Sequence, residues 1–188
     1  VSPIPADHSQ NLTGIWPKKV VNYKTVMSDA ASGFTSVTYP FPVIRMADLY
    51  LMYAEALNEK GEDYATVLPW IDMVRERSGL QGVKESWDQY VGNSKYATQT
   101  GLRQIIMQER RIELAFEGHY FWDVRRWKTA TTELTQPLTG WKVRYGETDV
   151  DYYSENLVLV RDFTPKMYFW PIDIGELRKD PNLVQNYG

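Results

Sequence analysis

Apolar residues first recur at helical spacing at Leu49, Met52, Tyr53, Ala56 and Leu57, which predicts a helix from about Ile44 to Lys60. Ala47, Tyr50 and Ala54 add a second apolar flank, so this helix is expected to be buried on two sides. Gly61 directly after it suits a left-handed C-terminal cap. A second helix holds Leu68, Ile71, Val74 and Arg75 and stops at Gly79. Proline deep inside a helix costs about 3 kcal/mol but is tolerated in the first turn. Pro69 therefore places the N-cap near Thr66. The short link between the two helices makes an αα-hairpin.

Residues 80–99 are polar and irregular, with Trp87, Tyr90 and Tyr96 scattered among them. A long helix follows from about Gly101 to Glu117, with an apolar stripe of Leu102, Ile105, Ile106, Ile112 and Phe116. Glu109 and Glu113 fall on that stripe. After Gly118 a shorter helix runs from about Tyr120 to Ala130, so the second pair repeats the first and suggests helical-repeat architecture. The flanks differ. Residues 1–43 have no helical period, and Val20–Val26 with Thr35–Tyr39 read as two arms of a hairpin. Residues 131–165 read as loops and short strands, including Leu157–Val160. Met167–Trp170 reads as a buried strand stopped by Pro171, and Asp173 with Glu176 has capping-box spacing for a last short helix. The fold class expected is mainly α, with loops and a few short strands.

Composition narrows the function. The chain has 188 residues, 43% hydrophobic and 24% charged, which is globular and enough for a substantial core. It reads as one domain or a large piece of a longer protein, and the opening Val1-Ser2-Pro3-Ile4-Pro5 reads as the interior of such a chain. A net charge of −3 and the lack of a basic run argue against nucleic acid as a partner. The absence of cysteine excludes disulfides and thiol nucleophiles. Aromatic residues reach 14%, with 7 Trp and 13 Tyr. Rings that are not in the core suit stacking on flat apolar ligand faces, and on an acidic chain sugar rings are favoured over bases.

The densest charge lies in Gln108–Glu117, where Glu109, Glu113 and Glu117 are spaced by four on one helix face. A metal site, a glycosidase acid/base pair and a structural network are the three readings. A di-metal bundle needs Glu-x-x-His pairs, and His8 and His119 have no Glu at that spacing. A carboxylate on an apolar stripe must be paired or it is costly, and Arg45, Arg75, Arg110 and Arg126 are available, so the network is favoured. No nucleophile elbow, dinucleotide fingerprint or phosphate loop is present. Asn11-Leu12-Thr13 is a bare glycosylation sequon. Tyr50, Tyr53, Phe116, Phe121 and Trp127 have helical core spacing, and Phe169 and Trp170 read as core strand. Trp16, Tyr23, Tyr39, Trp87, Tyr90, Trp141, Tyr145, Tyr152 and Tyr153 lie in polar loops and are the ligand candidates.

Several segments together resemble a known family. Pro42-Val43-Ile44-Arg45-Met46-Ala47-Asp48-Leu49-Tyr50 and its continuation to Glu59 is similar to the signature of the SusD/RagB family. Ile71–Leu80, Glu109–Gly118 and Phe121–Trp127 follow in the family's order, as do Phe169-Trp170-Pro171-Ile172 and Asn182–Gly188. The resemblance covers nearly all of the chain from Ile15. It implies a tetratricopeptide-like scaffold of helix pairs, and a chain that is the C-terminal portion of a longer protein (residues 1–43 loop and short strand, 44–130 helix pairs, 131–188 loops, short strands and a final helix). The N-terminal helices, signal peptide and lipidated cysteine would then lie outside this chain, and the helix pairs would leave an apolar face where the rest docks.

The resemblance further implies a surface lipoprotein of the Bacteroidetes outer membrane, belonging to a polysaccharide-utilization system. Such a protein captures an oligosaccharide or polysaccharide and passes it to a SusC-like TonB-dependent transporter. It implies no enzyme activity, no cofactor and no metal. The family motifs hold helices together, and sugar is held on variable loops. Trp16, Tyr23, Tyr39 and Trp141 are chosen as carbohydrate-binding residues on residue type and loop placement alone. The rival readings are a scaffold that docks the transporter without binding sugar, and a glycoside hydrolase.

Overall fold

The structure, a computed structural model, describes residues 13, 15, 17–27, 33–142 and 148–187. They divide into two units: residues 19–120, and residues 121–188 together with the described residues up to 18.

The first unit opens with a small antiparallel ribbon, β1 (Val26–Met27) and β2 (Phe34–Thr35), with Val26 opposite Thr35. The predicted arms form a hairpin only at these inner residues. Helices α1 (Met46–Lys60) and α2 (Tyr64–Arg77) then form the expected αα-hairpin. Gly61 closes α1 at φ 90°, a left-handed angle that glycine adopts without a Cβ penalty. Asp63, not Thr66, is the N-cap of α2: its carboxylate accepts a 2.8 Å bond from the Thr66 N–H. Pro69 therefore sits in the second turn, where it cannot donate to the Ala65 carbonyl.

The face of α1 that is buried is Ala47, Asp48, Leu51, Ala54 and Asn58. The predicted stripe lies on the other side, with Leu49 at 41%, Met52 at 42% and Tyr53 at 49% exposure. Periodicity identified two apolar flanks on α1; one is buried, while on the other Trp70 of α2 meets Tyr53 edge to face at 4.6 Å, Leu57 packs on the core, and Leu49 and Met52 stay exposed.

Residues 80–99 are more ordered than their polarity predicts. They form α3 (Val83–Ser86), one π-helical turn (Trp87–Val91) and a 3₁₀ turn (Lys95–Ala97). Val83 is fully buried, and its N–H donates to Asp72 Oδ1 at 2.7 Å. Tyr96 is also buried, its hydroxyl bonded to Asp88 at 2.8 Å. Helix α4 (Gln99–Glu113) follows, capped by Thr98. Only glycine fits at position 101, because a Cβ there would lie 2.1 Å from the Lys95 carbonyl oxygen.

Leu102, Ile105 and Ile106 of α4 join Leu51, Val67 and Ile71 in the core. The stripe then fails: Ile112 and Phe116 are exposed, and the helix ends at Glu113 rather than Glu117. Arg110, one turn beyond Ile106, takes the buried position, and its Nη1 donates to buried Asp48 at 2.9 Å.

The three glutamates form the expected network. Arg45 grips Glu117 through Nε (2.9 Å) and Nη2 (2.7 Å) and Glu113 through Nη1 (2.8 Å). Arg75 holds Glu109, while Arg77 and Lys19 are partners the sequence reading did not name, on Glu113 and Glu117 respectively. Arg110 and Arg126 pair with Asp48 and Asp123 instead. Burial pushes the Glu109 carboxyl above its ordinary pKa, more than Arg75 pulls it down. At Glu117 burial acts in the same direction, but Arg45 and Lys19 outweigh it and hold the carboxyl below its ordinary range.

The second unit holds α5 (His119–Arg126, whose first two residues belong to the first unit), α6 (Ala130–Glu133), β3 (Leu138–Trp141), α7 (Asp149–Tyr152), β4 (Glu155–Leu159) and α8 (Ile174–Lys179). The predicted Tyr120–Ala130 helix breaks after Arg126, and Lys128 is left-handed at φ 59°. Strands β3 and β4 pair antiparallel with Trp141 opposite Glu155. Asp173 caps α8 as expected.

Met167–Trp170 is not a buried strand. Pro165–Tyr168 winds as a 3₁₀ turn, and Phe169 and Trp170 are 57% and 65% exposed. The next backbone groups bond to side chains: the Gln185 amide pairs with both backbone groups of Ile172 (2.8 and 2.9 Å), and Asn186 donates to the Trp170 carbonyl at 2.6 Å.

Two outcomes follow for stability. Arg110→Met strands Asp48 in the core and is expected to cost about 3–5 kcal/mol in denaturant unfolding, whereas Arg110→Met with Asp48→Leu recovers most of it. Additive losses would contradict the pairing. On acidification, the stabilisation from Glu117 is lost as pH falls from the ordinary glutamate pKa through its lowered folded value. Glu109 has the opposite sign, because its raised folded pKa makes proton uptake favour the folded state. Unfolding measured against pH should therefore show a shallower acid loss in Glu117→Gln and a steeper one in Glu109→Gln.

Candidate functional site

One exposed aromatic surface is built on β3, α7 and β4. The Trp141 N–H donates to the Thr13 carbonyl at 3.1 Å. That close approach requires glycine at position 140, where a Cβ would lie 2.6 Å from Thr13 Cα. Thr148 caps α7, and the Lys142 N–H is shared between the carbonyls of Tyr152 (3.1 Å) and Ser154 (3.2 Å), which folds α7 back beside β3.

This brings three rings together. Tyr153 meets Trp141 edge to face at 5.3 Å between centroids, and Tyr152 meets Tyr153 the same way at 5.0 Å. Trp141 is 41% exposed and Tyr153 62%. Beside them Lys142 Nζ bonds to Asp151 Oδ1 at 2.9 Å. Exposed ring faces next to a charged donor and acceptor can stack on the C–H face of a sugar and bind its hydroxyls. The sequence marked Tyr152 and Tyr153 only as loop aromatics; their contact with Trp141 depends on the fold-back at Lys142.

The other chosen residues are less organised. Tyr23 is 88% exposed, with Lys24 Nζ 5.7 Å from its ring centre. Tyr39 is 39% exposed. Asn22 Nδ2 donates to the Thr38 carbonyl at 3.1 Å, tying their two segments together. Neither ring pairs with another ring among the described residues. Both lie in the first unit and Trp141 in the second. Trp16 lies outside the described residues, as do Tyr145 and His8. Trp87 packs on the core and is a structural residue, whereas Tyr90 is 72% exposed. Trp122, Phe169 and Trp170, read from the sequence as motif or core residues, are exposed rings.

Catalytic arrangements have weaker support. Among the described residues no three His, Asp or Glu side chains gather as metal ligands. Glu109 lines a pocket of about 260 Å³ with Trp87, Lys95 and Gln104, but no second carboxylate lines it and Arg75 occupies the Glu109 carboxyl. No described helix is long and apolar enough to cross a membrane.

Comparison with known proteins matches this architecture. SusD-like protein P25 of Formosa agariphila is 39% identical over 144 residues, 77% of this chain and 23% of that protein. A crystal structure of a SusD-like protein from Bacteroides fragilis is 31% identical with a TM-score of 0.61, covering 76% of this chain and 24% of that one. A second structure from that organism, described as a SusD-like carbohydrate-binding protein, is 32% identical with a TM-score of 0.59, over 76% of this chain and 28% of that one. The chain thus spans about a quarter of the length of these relatives. Residues 2–188 match the family model for SusD proteins. By that match and these relatives, the chain belongs to the SusD family.

Proposed function

We infer that the chain is the C-terminal portion of a cell-surface glycan-binding protein. The observation that carries this reading is the exposed Trp141–Tyr153 corner beside the Lys142–Asp151 pair, in a family that includes a carbohydrate-binding relative. The protein would hold an oligosaccharide without transforming it, by ring stacking and hydroxyl hydrogen bonds, and pass it to a TonB-dependent transporter of the SusC type. It would sit at the outer membrane through a lipid anchor outside this chain. Trp141 is the strongest of the four sugar-binding residues proposed, and Tyr153 joins it. Trp16, Tyr23 and Tyr39, which precede α1 in the sequence, are the other three residues proposed to hold sugar.

A scaffold that docks the transporter without binding sugar is the second reading. The outward stripe of Leu49, Met52 and Tyr53 on α1 favours it. Loss of transporter association in variants of that stripe, from a protein that binds no glycan, would support it.

Tryptophan fluorescence titrated against plant, host and microbial polysaccharides separates the readings. The binding reading expects a saturable change with at least one of them. Trp141→Ala or Tyr153→Ala should then weaken affinity about tenfold, or ~1.4 kcal/mol. A folded protein that responds to no glycan, or binding indifferent to both substitutions, would contradict it.

A further inference from the structure

A second exposed aromatic surface in the same unit differs in charge. Between α5 and the segment Pro165–Trp170 lies an open groove of about 800 Å³, lined by Trp122, Arg125, Lys128, Tyr168, Phe169 and Trp170 among others. Trp122, Phe169 and Trp170 are 60%, 57% and 65% exposed. Its charged lining residues are all cations, with no carboxylate among them.

The three cations differ in how they are satisfied. Arg126 is neutralised by Asp123 at 2.8 Å. Arg125 is fixed without a counter-ion. Its guanidinium lies 4.2 Å from the Phe121 ring centre, 5.1 Å from that of Phe163 and 5.9 Å from that of Trp170, and it donates to the Met167 carbonyl. Neither Arg125 nor Lys128 makes an ion pair among the described residues. Aromatic cages usually take a cation as guest, but here Arg125 already fills that role. What the groove lacks is an anion.

The guest must combine a negative charge with an apolar face of ring size. Nucleic acid fits poorly, because the groove offers only Arg125 and Lys128 against a run of phosphates. A sugar bearing a carboxylate has both features: its C–H face can stack on an indole, and its carboxylate can meet a half-buried cation that has no carboxylate partner among the described residues. We propose that this groove is a saccharide subsite for the uronate units of an acidic glycan, with Trp122 and Trp170 taking ring faces and Arg125 and Lys128 the carboxylate. The proposal rests on the glycan-binding reading and adds to it a ligand class and a second place on the surface.

The test is calorimetric titration of the intact protein with oligomers of galacturonate, glucuronate and mannuronate, each beside its carboxyl-reduced neutral counterpart. At least one acidic oligomer should bind tenfold or more tightly than its counterpart, and less tightly as salt is raised. Lys128→Gln should remove most of that preference and Lys128→Arg should keep it. Trp122→Ala should weaken both forms, and Trp141→Ala should leave the preference intact. Both Lys128 and Trp122 are exposed, so circular dichroism of these variants should match the parent. Equal binding of acidic and neutral forms, or a preference that survives both Lys128→Gln and Trp122→Ala, overturns the proposal. If neutral oligomers bind through Trp141 with no acidic preference, this inference falls and the glycan reading stands; if nothing binds, both fall.

Discussion

The arrangement of the first unit is set by charge that cannot be buried alone. Helix α4 and the turn after it carry Glu109, Arg110, Glu113 and Glu117 where water is largely excluded, and each would be costly without a partner. The partners come mainly from α1 and its approach, in reverse order. Arg45 meets Glu113 and Glu117, Asp48 meets Arg110, Asn58 exchanges bonds with Gln99 (3.1 and 2.7 Å), and Glu59 meets Arg103. This polar zipper allows one antiparallel register of α1 on α4. A shift by a turn would separate every pair at once, whereas the aliphatic contacts of Leu51, Leu102 and Ile106 alone would tolerate sliding.

That constraint acts within the first unit. The rings with the best claim to a ligand lie in the second unit, on short strands and turns held by backbone bonds and side-chain clasps. The approach of Thr13 to Gly140, the shared Lys142 N–H and the Gln185–Ile172 pairing hold those segments without a large apolar core beneath them. Their side chains are therefore free to be aromatic and exposed.

Much of the helical part was legible: α1 from its apolar period and Gly61, α2 from its period although its N-cap is Asp63 rather than Thr66, and α8 from the Asp173 cap alone. The Arg–Glu network was legible in kind, because a carboxylate on an apolar stripe needs a counter-ion, but its partners were only half right. Three-dimensional proximity chose Arg77 and Lys19, and it gave Arg110 to Asp48. The errors share a cause. The outward stripe of α1, the exposed Ile112 and Phe116, and the exposed Phe169 and Trp170 are apolar residues that pattern alone assigns to a core. Periodicity reports that a face is apolar, not whether anything in this chain covers it. Trp141 was chosen by residue type, but its contact with Tyr153, and that of Tyr153 with Tyr152, depend on a fold-back that no local motif encodes.

The most direct test of the account is a crystal structure of the intact protein with a bound oligosaccharide. The account predicts a sugar ring lying flat against Trp141 or Tyr153, its hydroxyls within hydrogen-bonding distance of Lys142 or Asp151, and the Arg45–Glu113–Glu117 network unchanged. A sugar bound at a site that uses none of the exposed aromatic residues described above, or Trp141 and Tyr153 covered by other protein segments, would contradict it.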